Sequence, residues 1–530
     1  MKKTLLLIII LILFVSCNSV KKYNEHITKL HTIENLYYDI DKLYEQLIKN
    51  HPKLYQYTSK EVLDFKFDSL KKSINQPITS REFYKKLAPV LAHVKQGHLT
   101  VGSVRKKYTK KELKDLPPKK LEFFNLDLEY LDNSLFVKRT FGKDSSLVGN
   151  EIISIDGEEV HELIETYKTR FASDGYNTTL HNRLVGRHFT KFYIYDKGFV
   201  DSLKVTFKNK DSIFSKQFGR IKKKDIKTKI DSVKVPKEKP MKISKLEKKE
   251  HKLKKKQKKK IDKKYGFIGR SKEYTRNFDF IGKDSVIAYM KIRSFSNGNY
   301  KKFYKESFAK LDSAKTKHFI LDLRDNGGGR IAEIDYLYAY LTNKDYIFIE
   351  PSEVTSKLHI TKSLLSNGNR TLLKIIGMLR FIEPISLAIE YSKTKKIDGK
   401  LYFKMKYNKL KKPNKMHYDG KMYVLINGNS FSASSLISTH LKANKRAIFV
   451  GEETGGAFNG CIAGFYKIYK LPNTKLKTRI GLMQIETPQV QTPDGYGVKP
   501  DITILPNIED RKSNIDTELQ WILKDIHKQD

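Results

Sequence analysis

Several features are scarce in this chain of 530 residues, and each shortage excludes a class of protein. Two cysteines cannot build a disulfide framework or a cysteine-rich zinc site. After the N-terminus, no stretch is apolar over the roughly 18 residues that a membrane-spanning helix needs. Acidic residues are also few, with 59 Asp and Glu against 103 Lys and Arg and a formal net charge of +44. A hydrophobic fraction of 39% still supplies side chains for several cores, which excludes a chain that is disordered throughout.

The first residues resemble an export signal. Two lysines precede an apolar run at residues 5–15, which is too short to span a membrane and is typical of a secretory signal. The run ends in Phe14-Val15-Ser16-Cys17, which is similar to a bacterial lipobox. Residues 1–16 are then removed, Cys17 carries the lipid, and residues 17–30 form a polar tether. We therefore expect a membrane-anchored lipoprotein of the cell envelope, facing the periplasm or the outer surface; an ordinary signal peptide cleaved nearby is the alternative.

The periodicity of apolar residues divides the rest of the chain. Residues 31–105 have apolar side chains three and four apart, which predicts an N-terminal helical region. Residues 118–215 contain short alternating strands, and residues 146–160 combine a glycine turn, a strand, an Asp-Gly turn and a helix start. Residues 265–510 alternate apolar strands with helices, which predicts an α/β domain with a basic, partly helical insertion at 352–416. A C-terminal helix is expected in residues 511–530.

Positive charge is concentrated in an insertion at residues 216–264. Residues 220–264 alone hold 22 Lys and Arg but only 6 Asp and Glu, with almost nothing to bury. This composition predicts a disordered segment or a frayed helix. It has two interpretations, contact with anionic lipid or cell-wall polymer and a solvated lysine tract without a partner. Nucleic acid is not expected as a partner, because the chain resembles an exported protein and has no nucleic-acid recognition motif.

Two turns that follow predicted core strands carry residues suited to chemistry. In LDLRDNGGGR, residues 321–330, three glycines allow backbone N–H groups to approach an anionic ligand. In residues 421–441 a strand leads through a polar turn to a helix that begins near Ala433. A serine at such a helix N-terminus lies where free N–H groups stabilise negative charge. The candidate nucleophiles in this turn are Ser430, Ser432, Ser434 and Ser435.

These two strings and GEETGG at residues 451–456 occur in the order found in the tail-specific, or C-terminal processing, serine peptidases. The resemblance covers most of the chain past residue 30. It implies an α/β fold with a ClpP/crotonase-like peptidase core, an N-terminal helical region and a PDZ-like domain, to which residues 146–160 are similar. It also implies peptide or protein substrates, bound by their C-termini at the PDZ-like domain through strand addition. No metal or organic cofactor is implied.

Carried over by position, the resemblance makes Ser432 the nucleophile. The branch of the family with a Ser-Lys dyad has its lysine 25 residues after the serine, where this chain has Ala457. That dyad is therefore not available. The tricorn-like branch uses a histidine in a D-G-H-T string, and Gln96-Gly97-His98-Leu99-Thr100 is similar. This similarity implies that His98 is the general base.

The resemblance also implies the remaining site residues. A carboxylate just before a G-V-x-P-D string orients the histidine, and the matching residue is Asp494, with Asp501 as the alternative. The oxyanion hole would combine the N–H of Ala433 with one from residues 327–329, Gly328 being the first choice. The implied function is an envelope-anchored serine endopeptidase that forms an acyl-enzyme on Ser432. The alternative is a non-catalytic lipoprotein that binds peptides or apolar ligands on the same fold.

Overall fold

A computed structural model describes residues 20–109, 120–142, 144–221, 245–282, 284–366 and 371–528. The predicted signal peptide, Cys17 and residues 222–244 of the lysine-rich insertion lie outside these residues. The fold is mixed α/β, as expected, with an N-terminal helical part, an antiparallel sheet and a larger α/β part. Within the described ranges, no helix is both long and apolar enough to cross a membrane.

The N-terminal part is helical, as the periodicity predicts. Thr32, Ser59 and Thr79 each accept a backbone N–H at a helix start, which sets the starts of three helices. The first helix lies within residues 17–30, which were expected to form a polar tether. It packs on this part of the protein instead, because Ile27 is buried in its core. The elements are α1 (Val20–Thr28), α2 (Ile33–Asn50), α3 (Lys60–Lys72) and α4 (Ser80–Ala92), with short strands β1 (Leu30–His31), β2 (Ile78–Thr79) and β3 (Thr100–Gly102).

The middle part is an antiparallel sheet with three helices. Its strands are β4 (Lys120–Leu121), β5 (Leu126–Leu131), β6 (Ser134–Thr140), β7 (Glu151–Ile155), β8 (Glu158–Glu159), β9 (Leu203–Asn209), β10 (Ser212–Phe218) and β11 (Arg220–Ile221). Its helices are α5 (Val160–Lys168), α6 (Thr179–Arg187) and α7 (Phe189–Lys197), and a 3₁₀ turn spans Glu122–Asn125. The main sheet has the order β10-β9-β7-β6-β5, with β8 on β7. Strand β10 continues past the predicted boundary at residue 215, because Phe218 still pairs with Leu203 of β9.

From residue 245 onward, the lysine-rich insertion is a continuous helix, α8 (Lys245–Tyr265). Lysine loses little side-chain freedom in a helix, so the composition tolerates this structure without a buried face. The C-terminal end is held by the next segment: Asn299 donates its N–H to the carbonyl of Lys263 at 2.8 Å, and Tyr265 packs against Phe303. The helix is therefore anchored at its C-terminal end, and its side chains at residues 249–261 are exposed.

The C-terminal part has two sheets. Its strands are β12 (Phe267–Ile268), β13 (Glu273–Tyr274), β14 (Arg276–Ile281), β15 (Ile287–Ile292), β16 (His318–Asp322), β17 (Ser352–Val354), β18 (Thr394–Ile397), β19 (Lys400–Phe403), β20 (Lys421–Ile426), β21 (Ile448–Gly451), β22 (Cys461–Lys470), β23 (Lys477–Ile485) and β24 (Ile502–Thr503). Its helices are α9 (Tyr300–Ser313), α10 (Ile331–Leu341), α11 (His359–Ser366), α12 (Thr371–Ile382), α13 (Ile385–Ser392), α14 (Ala433–Ala443), α15 (Ile508–Lys512) and α16 (Thr517–His527), and a 3₁₀ turn spans Lys406–Asn408.

The central sheet positions the candidate site. Its order is β14-β15-β16-β20-β21-β24, and all strands after β14 are parallel. Strand β16 is buried at every residue, as expected for a parallel strand covered on both faces. Because β16 and β20 are neighbours, the glycine turn after one and the serine turn after the other leave the same edge of the sheet. Ligands of parallel α/β sheets bind at that edge.

The second sheet connects the insertion at residues 352–416 to the core. Its order is β18-β19-β17-β23-β22, and β3 of the N-terminal part also pairs with β23. Strand β17 pairs with β23 through Val354 and Met483, so the first residues of the expected insertion belong to the core sheet. Helices α11 to α13 follow β17, and α11 packs on β22.

Candidate active site

Ser432 lies at the N-terminus of α14 in a backbone conformation that few L-residues adopt. Its φ is 58° and its ψ is −119°. Such a conformation costs about 1–3 kcal/mol and persists only where the surroundings impose it. Ser430 Oγ, by contrast, donates to the carbonyl of Leu323, just after β16, at 2.8 Å and accepts the N–H of Asn427 at 3.1 Å. Ser430 therefore maintains the turn, whereas the Ser432 side chain faces another element.

That element is the loop after α4, which carries His98. His98 Nε2 lies 3.1 Å from Ser432 Oγ, although 334 positions separate the two residues. The imidazole is 6% exposed and stacks on Phe431 with 4.8 Å between ring centroids. Burial, with a smaller contribution from the Arg479 charge, lowers the pKa of His98 to about 3. The ring is therefore neutral near pH 7 and is able to accept a proton.

The glycine turn at residues 327–329 packs directly against the serine turn. Gly328 has a φ of +95°, and a Cβ on it would lie 2.8 Å from Ala433 N. Its own N–H, however, donates to Asn326 Oδ1 at 2.9 Å. The expectation that Gly328 donates to an oxyanion is thus not met in this arrangement, because its hydrogen is already used. Ala433 lies in the first turn of α14, where N–H groups have no intrahelical acceptor.

Asp494 does not hydrogen-bond to His98, contrary to the expectation from its position. Its carboxylate accepts from Gln56 Nε2 at 2.9 Å and from its neighbour Gly495 N at 2.6 Å. Gln56 in turn accepts from Gln96 Nε2 at 3.1 Å, which connects Asp494 to the loop just before His98. Its influence on His98 is therefore indirect.

Asp501, the alternative carboxylate, is bound elsewhere. It accepts the backbone N–H of Phe449 at 2.8 Å and pairs with Lys442. It therefore holds β21 and α14 together.

Asp174, which sequence reasoning missed, is the carboxylate beside His98. It is fully buried, and its Oδ1 accepts the N–H of Gly97 at 2.8 Å. Asp174 Oδ2 and His98 Nδ1 are both buried and without a hydrogen-bond partner among the described residues. Burial raises the pKa of Asp174 to about 7. No sequence signal identifies it, because Ser173-Asp174-Gly175 has the pattern of an ordinary turn.

Cys461 completes a cluster with these two residues. Within the described part of the chain, His98, Asp174 and Cys461 are the group of three with donor atoms close enough to hold a metal ion, all within 4.8 Å of one another. A metal ion bound there would be coordinated by one ring nitrogen of His98, and that nitrogen would then not be free to bind a proton. Burial also raises the pKa of the Cys461 thiol, so at neutral pH the thiol remains protonated. The thiol lies beside Ser432 in the cavity wall.

Ser432 and His98 open onto a cavity of about 900 Å³. Apolar side chains such as Phe171, Leu436 and Met483 line it. Its described lining contains no Asp or Glu, but it has several cationic residues: Arg170, Arg187, Lys191, Arg330 and Arg479. The cavity thus suits a chain with apolar side chains and an anionic group.

Comparison with known proteins identifies one part of the chain. Residues 286–504 match the model of peptidase family S41, a stretch that includes both the glycine turn and Ser432. These residues carry a peptidase family S41 domain. The chain is therefore a serine-type peptidase, while His98 and Asp174 lie outside the matched residues.

The chain is also similar to solved structures over nearly its whole length. Mature CPAF complexed with lactacystin is 14% identical with a TM-score of 0.60, covering 94% of this chain and 98% of that chain. Mature CPAF is 14% identical with a TM-score of 0.55, covering 91% and 94%. At these identities the likeness establishes the fold alone. No curated protein matches the chain.

Proposed function

We propose that this S41 peptidase is an envelope-anchored serine endopeptidase of the tricorn-like type, with Ser432 as nucleophile and His98 as general base. The observation that carries the proposal is the 3.1 Å contact between Ser432 Oγ and His98 Nε2. The strained backbone of Ser432 supports it, because such strain concentrates at functional sites. No lysine is available near the position of Ala457 for a Ser-Lys dyad.

The reaction proceeds by acyl transfer. His98 takes the hydroxyl proton through Nε2 as Ser432 Oγ attacks the peptide carbonyl, and then gives it to the leaving amine. The developing oxyanion meets the N–H of Ala433 and the N-terminus of α14, where the helix dipole favours negative charge. A second donor would come from Gly327 or Gly329, since the Gly328 N–H is bound to Asn326. Water activated by His98 then hydrolyses the acyl-enzyme.

We assign the orienting carboxylate to Asp174 and not to Asp494. The unpartnered Oδ2 of Asp174 and the unpartnered Nδ1 of His98 belong to one buried cluster. A carboxylate there selects the tautomer that leaves Nε2 free to accept the Ser432 proton. Asp494 then fixes the loop of His98 through Gln56 and Gln96.

The remaining expectations are proposals about substrate and location. The core would be ClpP/crotonase-like, and the sheet of β5 to β10 would be PDZ-like, with the exposed edge strand β10 taking up a peptide. In the cavity wall, Arg170 pairs with Asp196 and Arg330 pairs with Glu333. The remaining cationic side chains, Arg187, Lys191 and Arg479, are complementary to a C-terminal carboxylate. Membrane attachment through Cys17 would place the cavity in the cell envelope.

The proposal is tested by digestion of an unfolded protein, with new termini identified by mass spectrometry. The chain from residue 17 with Cys17→Ser should produce fragments, and the His98→Gln variant should lose about 10⁴-fold or more in rate, because the base is absent. A parent that is folded and binds the substrate without cutting it would favour the non-catalytic lipoprotein. Fragments produced equally by the His98→Gln variant would exclude His98 as the base.

A methyl group on Gly328 should abolish most of the activity. The added Cβ would lie 2.8 Å from both Ala433 N and Ser432 Cβ, so the two turns must separate. We expect Gly328→Ala to lower kcat/KM by about 100-fold or more. The matched control is Gly327→Ala, since a Cβ there meets nothing within 4 Å. Similar losses in both variants, with thermal unfolding unchanged, would show that the contact between the turns does not matter.

A further inference from the structure

Helices α12 and α13 present an apolar surface to solvent. Their large apolar side chains are exposed by up to 73%, the value for Ile385. The exposed set is Leu372, Ile375, Ile376, Met378, Leu379, Phe381, Ile382, Ile385, Ile389 and Tyr391. A contiguous apolar patch of this kind on a soluble protein marks an interaction surface.

The polarity of these helices is the reverse of that of an ordinary surface helix. Two of their charged residues, Arg380 and Glu390, pair at 2.7 Å, and the Glu390 side chain is 1% exposed. Glu383, in the turn between the helices, is exposed. Glu390 also accepts the N–H of Ile360 at 2.7 Å and the hydroxyl of Thr361 at 2.8 Å. Polar contacts thus hold α12 and α13 onto α11, while the apolar side chains point away from the protein. The surface is therefore built into the fold.

Lysines border this surface. Lys393, Lys395, Lys396 and Lys400, on or beside β18 and β19, are all exposed. Between residues 357 and 400 the chain has nine Lys and Arg against three Asp and Glu. An apolar helical face bordered by lysines is the pattern of helices that lie in the interface of an anionic bilayer. Two copies of this face would bring like charges together, which disfavours a second copy as the occupant.

The helices are too short to cross a bilayer. At 12 and 8 residues they fall well below the roughly 20 that a span requires. We propose that α12 and α13 lie in the surface of an anionic lipid bilayer, with their apolar side chains below the headgroups and the lysines of β18 and β19 at the phosphates. This contact is independent of any lipid on Cys17 and of the peptidase reaction.

Flotation with lipid vesicles tests the proposal. The chain from residue 17 with Cys17→Ser, which cannot carry the lipid, is mixed with vesicles of phosphatidylcholine containing about one third phosphatidylglycerol. We expect it to float with these vesicles and much less with pure phosphatidylcholine, with binding weakened by salt. The doubles Phe381→Glu/Ile385→Glu and Lys395→Glu/Lys396→Glu should each lower binding about tenfold or more.

The control replaces equally exposed apolar residues elsewhere. Phe65 and Val490 are 66% and 76% exposed and lie outside α12 and α13, so Phe65→Glu/Val490→Glu adds the same charge elsewhere on the surface. This double should float like the parent, and peptide hydrolysis should be equal in all variants. The proposal is overturned if the parent does not float, or if the control loses as much binding. A dimer in solution that Phe381→Glu/Ile385→Glu dissociates would instead identify the face as a self-interface.

Discussion

Replacing Ser432 with alanine should abolish labelling by a fluorophosphonate probe and lower kcat for peptide hydrolysis by about 10⁴–10⁶-fold. The reason is that, among the described residues, Ser432 provides the hydroxyl of the serine turn that contacts the imidazole of His98. Ser432 Oγ is 3.1 Å from Nε2, whereas the hydroxyl of Ser430 bonds to the carbonyl of Leu323 and that of Ser435 to the carbonyl of Ser430. Gel fluorescence of the labelled protein and steady-state kinetics measure the two effects.

The matched control is Ser434→Ala. Ser434 lies two residues further along the same helix, and its buried hydroxyl has no hydrogen-bond partner among the described residues. Removing it should leave labelling and kcat near the parent values. If Ser432→Ala is still labelled while Ser434→Ala is not, the nucleophile has been assigned to the wrong serine.

Asp174→Asn should give the second large effect, a loss of about 10³–10⁴-fold in kcat. An amide in place of the carboxylate can present its NH₂ group to His98 Nδ1 and favour the wrong tautomer. Its Oδ1 can still accept the N–H of Gly97, which the parent holds at 2.8 Å, so the loop should keep its structure. Asp494→Asn is the control, and a much smaller loss is expected because Asp494 acts only through Gln56 and Gln96.

The pH profile distinguishes an orienting role from a structural one. Burial raises the pKa of Asp174 to about 7, so its carboxyl is mostly protonated below that pH and charged above it. Since the charged form is the stronger acceptor for the Nδ1 proton and stabilises the imidazolium that forms, kcat/KM of the parent should rise as the pH increases through about 7. His98 adds no step there, because burial lowers its pKa to about 3. The rise should be absent in Asp174→Asn and present in Asp494→Asn; its persistence in Asp174→Asn would contradict the assignment.

The secondary structure of the serine turn could be predicted from the sequence, whereas that of the lysine-rich insertion could not. The strand, turn and helix around Ser432 follow from apolar runs and turn residues that are neighbours in the chain. The helix α8 did not follow, since its composition is compatible with disorder as well as with a helix. The contact that anchors it, between Lys263 and Asn299, joins residues 36 positions apart.

The sequence by itself determined the mixed α/β class, the peptidase family and the choice of Ser432 and His98 as candidates, because these depend on local periodicity and on motifs in a set order. Tertiary structure alone decided that Asp174 lies beside His98, that Asn326 binds the Gly328 N–H, and that α12 and α13 carry their apolar side chains outward. Each of these depends on residues brought together, or left uncovered, by the packing of the whole chain. A short string of residues does not encode the direction in which a side chain points or the partner that it meets.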